Sequence, residues 1–179
     1  ALACDYTRVC TIQFANGHGH TFPFLTGANG GQPIVAPGYD NWHAMVHADF
    51  VDGMQHVYRW YMQEFANFLD KLAAETDADG DNLLDTSLVL WMPEFNSGRH
   101  TDKALPAILA GCIPSAGQYV DFMGAFRDQF LAHNHWNAVS EANTNQLFVG
   151  ILQAFGQPDT TFGNWPAGLA PGPMPGVFT

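Results

Sequence analysis

The sequence is short of charge, and of positive charge above all. Charged residues make up 13% of its 179 positions, against about 25% in an average globular chain. Six are fixed cations (Arg8, Arg59, Lys71, Arg99, Lys103 and Arg127), set against 17 Asp and Glu for a formal net charge of −11. So few cations cannot neutralise a run of phosphates, which excludes a nucleic-acid surface. No apolar run of about 18 residues occurs, so no membrane-spanning helix is expected. An initiator Met and a basic amino-terminal region are both missing, and no signal peptide is legible. The three cysteines, Cys4, Cys10 and Cys112, form no CxxC. They make no zinc knuckle and at most one internal disulfide, and their simplest reading is as small buried hydrophobes. Serine is scarce (Ser87, Ser97, Ser115 and Ser140) and never sits in a GxSxG elbow. With no P-loop, HExxH or strand-linked GxGxxG either, a serine triad, a phosphate loop and a zincin helix are all without a motif here.

What is present is 47% hydrophobic residues, 13% of the chain being aromatic. Long disorder is thereby excluded, and one domain spanning 1–179 is expected. Histidine is in excess: there are eight, more than Lys and Arg together. Metal ligation is the sharp explanation; a few buried, hydrogen-bonded rings is the plain one.

Hydrophobic periodicity divides the chain. Residues 8–14, RVCTIQF, read as a short buried strand, followed by a long Gly/Pro/His-rich loop over 15–39. From Asp52 onward Met54, Val57, Tyr58, Tyr61, Phe65, Phe68, Leu69 and Leu72 recur at steps of three and four, opposite Gln55, Arg59, Gln63, Asn67, Asp70 and Lys71. This spacing predicts an amphipathic helix whose aromatic stripe covers a core. A turn is expected over 77–85, a strand over 87–92 and another over 107–110. A second amphipathic helix over 143–155 shows Leu147, Phe148, Ile151, Leu152 and Phe155 on one face and stops at Gly156. Residues 163–179, rich in Pro and Gly, read as an extended tail. Strands and helices in this order predict an α/β layered sheet, although three strands are few for such a fold.

Three stretches offer chemistry. In Asp40-Asn41-Trp42-His43-Ala44-Met45-Val46-His47 two histidines four apart share one helix face, a spacing that lets both imidazoles reach one ion, and Asp40 adds a hard oxygen. The plain alternative is a helix-entry Asp followed by two incidental histidines. Glu94 follows the strand over 87–92, where ligands of open α/β sheets bind, and Arg99 and His100 come soon after. Glu94 fits a metal ligand or general base, Arg99 an anion clamp, His100 a ligand or proton donor; a Glu94–Arg99 pair tying the loop is the competing reading. Asp77, Asp79, Asp81 and Asp85 place oxygens like the opening of a calcium loop, but Asn82 and Leu88 stand at its sixth and twelfth positions. A solvated acidic turn is the alternative. Of the other histidines, His18 and His20 follow the first strand, His133 and His135 lie in a polar stretch, and His56 falls on the polar helix face.

The order of these pieces resembles the HXXSHH family of secreted bacterial proteins, assigned to the alkaline-phosphatase and sulfatase-like fold. The likeness runs through LACDYTRVCTIQF, YDNWHAMVHA, FANFLDKLAAETDADGDNLLDTSLVLWMPEF, LPAILAG and NQLFVGILQAFG with FGNW. His43 and His47 match the first and middle His of the signature, while Val46 and Ala48 replace its Ser and last His. The resemblance implies a layered α/β/α sandwich equivalent to the carboxy-terminal half of that fold, with an amino-terminal half absent. It implies a metal-dependent hydrolase-like domain acting on a small anionic phosphate or sulfate ester, secreted or periplasmic, either oligomeric or associated with the missing part. Asp40, His43, His47, Glu94 and His100 would be ligands of a divalent metal, zinc foremost, with Glu94 and Arg99 in catalytic roles; calcium at the acidic turn is an expectation of its own spacing, not of the resemblance. A non-catalytic secreted structural or binding protein stabilised by calcium is the alternative.

Overall fold

A computed structural model describes residues 1–14, 21, 22, 25, 41–94, 105–112, 117–120, 122 and 142–178. The elements among them run α1 (Trp42–His47), α2 (Val51–Ala74), β1 (Leu88–Trp91), β2 (Ile108–Gly111) and α3 (Thr144–Ala154). The class is mixed α/β, with a small two-stranded sheet. None of the described helices is long and apolar enough to cross a membrane.

Helix α1 is short and depends on its ends. The Asn41 side chain accepts a hydrogen bond from the Ala44 N–H at 2.8 Å, satisfying one of the amides a helix start leaves unpaired. At the other end the Phe50 N–H donates to the Met45 carbonyl and the Asp49 N–H to the Val46 carbonyl. This is a Schellman turn, and Asp49 occupies its left-handed position at φ 51°. The turn folds α1 back onto α2. Met45, Val57 and Phe22 form a buried cluster there, with Leu25, Trp42, Phe50, Met54, Trp60 and Tyr61 packed around it.

Helix α2 follows the predicted amphipathic pattern residue by residue. Val57 and Leu72 are buried, and Met54, Tyr58, Tyr61, Phe65, Phe68 and Leu69 are half-buried, while Gln55, Arg59, Gln63, Asn67, Asp70 and Lys71 are exposed. Beyond Ala74 the chain turns tightly. The Asn82 amide donates to the Ala73 carbonyl at 2.6 Å, the Leu83 N–H reaches back to the Glu75 carbonyl, and the Leu83 side chain is buried.

Strands β1 and β2 pair antiparallel, with Leu88 opposite Gly111 and Trp91 opposite Ile108. Gly111, at φ 94°, is the position that lets β2 close on the turn before β1: a Cβ there would collide with the carbonyl oxygens of Ser87 and Leu84. The strand expected over 8–14 does not form. Those residues are irregular, with Val9 81%, Ile12 57% and Phe14 48% exposed. Strand-favouring composition needs a neighbouring ladder to satisfy the backbone. Here Phe14 instead sets its ring edge-on against Tyr61 of α2, centroids 5.9 Å apart.

Helix α3 begins with a capping box. The Asn143 side chain accepts from the Asn145 N–H, and the Gln146 side chain accepts from the Asn143 N–H at 3.1 Å. It stops at Gly156 as expected, in a second Schellman turn that pairs the Gln157 N–H with the Leu152 carbonyl. Its buried residues are Gln146, Leu147, Val149 and Gly150, whereas Phe155, expected on the apolar face, is 58% exposed. The tail accounts for the shift. It is rich in turns rather than extended, and it crosses the helix near Gly150. The Met174 N–H donates to the Gln146 carbonyl, the Gln146 amide to the Ala170 carbonyl, and the Phe178 ring lies where a Cβ of residue 150 would stand.

Candidate functional site

The histidines of α1 form the clearest pair of potential ligands. His43 and His47 sit one helical turn apart, so their side chains leave the same face. Their ring centroids are 4.5 Å apart at an interplanar angle of 66°. His43 is half-buried and His47 exposed, in the last turn of the helix. The cap that opens this helix is Asn41, a residue the sequence reading passed over in favour of Asp40. Its signal was legible: Asn immediately before a helical segment is a strong N-cap.

Helix α1 is braced by Trp42, whose ring meets Tyr58 of α2 edge-on at 4.9 Å. Tyr58 in turn lines a groove of about 380 Å³ together with Met62, Trp91, Pro106 and Ile108. Burial pushes the Tyr58 hydroxyl above its ordinary pKa, and that of Tyr61 likewise. The groove thus links the histidine helix, through Tyr58, to the end of β1, and Glu94 follows Trp91 by three residues. Glu94 is exposed.

Asp40, Arg99 and His100 lie outside the described residues, as do His18, His20, His133 and His135. Among the described residues no three His, Cys, Asp or Glu side chains gather into a set fit to hold a metal ion. His43 and His47 are therefore brought together as a pair, and Glu94 does not make a third with them. Two imidazoles at this spacing suit a borderline ion such as zinc, which takes nitrogen ligands at about 2.0–2.1 Å. His56 lies 3.8 Å from Asp52 on α2, a local contact that leaves it outside the pair.

The acidic turn is organised around one carboxylate. One Asp77 oxygen accepts the backbone N–H groups of Asp79 and Asp81 at 3.0 and 2.9 Å, and the other accepts the Thr86 hydroxyl at 3.0 Å. Partial desolvation pushes the Asp77 carboxyl upward, but the Asp81 N–H, the Thr86 hydroxyl and the Asp79 and Gly80 N–H groups outweigh it and hold the pKa below the usual value. Asp79, Asp81 and Asp85 are exposed. In this arrangement Asp77 acts as the internal acceptor that shapes the turn, an Asx-type role.

The cysteines correct one expectation. Cys4, Cys10 and Cys112 are unpaired, as the sequence suggested, but all three are exposed rather than buried. Cys4 and Cys10 belong to the irregular first segment, which buries little, and Cys112 directly follows β2. In comparisons with family models, curated proteins and solved structures, nothing matches this chain.

Proposed function

We propose that the chain is a divalent-metal-binding, hydrolase-like domain of the alkaline-phosphatase and sulfatase type, with a phosphate or sulfate ester as its substrate class. The observation that carries the reading is the His43–His47 pair, ring centroids 4.5 Å apart on a helix capped at both ends. The ester class comes from the sequence resemblance. In this reading His43 and His47 hold the ion from α1, Asp40 and His100 supply further oxygen and nitrogen ligands, and Glu94, which does not join the histidine pair, keeps the general-base role rather than a ligand's. Arg99 presents a planar, bidentate donor to the anion. A bound divalent ion supplies Lewis-acid polarisation of the ester oxygen and lowers the pKa of a water. The Asn41 cap and the Asp49 turn keep the two imidazoles on one face, and the Trp42–Tyr58 contact fixes how α1 rests on α2. A layered α/β/α sandwich, secretion, and an oligomeric or partner-covered sheet edge belong to the same proposal.

Zinc and cobalt titrations of the purified chain test it. Binding of one ion, weakened at least about tenfold by His43→Ala and by His47→Ala, is the expected result. Equal affinity in wild type and both variants overturns the metal assignment. Turnover of an aryl phosphate or aryl sulfate, lost in Glu94→Ala, supports the catalytic half; metal binding with no turnover of either ester removes it.

A second reading has its own observation. The Asp77 turn is already shaped by its backbone donors, with three exposed carboxylates beside it. A non-catalytic binding or structural protein stabilised by calcium at Asp77, Asp79, Asp81 and Asp85 predicts a higher Tm in millimolar calcium, abolished by Asp81→Asn, with no ester turnover.

A further inference from the structure

We draw no further inference here: the strongest candidate, the apolar groove between α2 and the β1–β2 hairpin lined by Tyr58, Met62, Trp91, Pro106 and Ile108, is an unpartnered face, and nothing in the structure shows what covers it.

Discussion

Replacing Gly150 by Ala sets two effects against each other in one helix. Glycine inside a helix costs about 1 kcal/mol relative to alanine, so propensity alone predicts a more stable protein. The packing predicts the reverse. A Cβ at position 150 falls onto Cγ, Cδ2 and Cε2 of Phe178, closer than carbon atoms approach in real structures. Relieving such overpacking costs about 1–3 kcal/mol. The packing cost wins, and Gly150→Ala is expected to destabilise by about 1 kcal/mol, or about 2–4 °C in Tm for a chain of this size. The control is the same change without the ring. In a Phe178→Ala background the Cβ has space, so Gly150→Ala should stabilise by about 1 kcal/mol. The sign reversal gives a coupling energy of about 2 kcal/mol, large enough for a double-mutant cycle. Urea and thermal unfolding followed by far-UV circular dichroism measure it, with an unchanged m-value as the check that the same transition is being compared. A Gly150→Ala protein more stable than the wild type, or equal effects in both backgrounds, would show that Phe178 does not lie on α3 and would refute the account of the tail.

Three further outcomes follow from the same structure. Asn41→Ala removes the side chain that accepts the Ala44 N–H and should cost about 1 kcal/mol; if the His43–His47 face is the metal site, zinc affinity falls in this variant although no ligand is altered, and unchanged affinity would separate the cap from the site. Asp49→Gly relieves a left-handed residue at φ 51°, and the relief of about 1 kcal/mol exceeds glycine's added chain entropy of about 0.5 kcal/mol; a small rise in Tm is expected, and a fall would mean that the Asp49 side chain holds α1 in place. Asp77 has a folded pKa below its unfolded one, so its contribution is present above the unfolded value and is lost as pH falls through the lower folded value. Acid titration should therefore weaken the wild type more steeply than Asp77→Asn below about pH 4, and parallel acid-unfolding curves would contradict the hydrogen-bonded carboxylate.

Much of the local structure is legible in residue order. The three-and-four spacing from Met54 to Leu72 specifies α2, because that periodicity leaves one continuous apolar face whatever lies against it. Asn143 with Gln146, and Gly156 beyond Ala154, mark both ends of α3 by chemistry confined to a few neighbouring residues. The acidic turn and the two strands that pair are likewise local in composition, and the i, i+4 spacing of His43 and His47 already implies that their rings are neighbours.

Tertiary structure decided what depends on a partner distant in sequence. Residues 8–14 carry strand-forming side chains, yet a strand exists only where another backbone completes its hydrogen bonds, and Phe14 finds Tyr61 instead. The buried arc of α3 turns toward Gln146 and Gly150 because Met174, Ala170 and Phe178 return from the tail, a contact no helical period encodes. The cysteines are exposed because the first segment and the end of β2 lie on the surface, not because of any property of the thiol. The same division applies to the site. Sequence spacing by itself determined the histidine pair, since the geometry of one helical turn is the same in any fold; whether Glu94, three residues beyond Trp91, can approach that pair depends on the packing of β1 relative to α1, which no local pattern encodes.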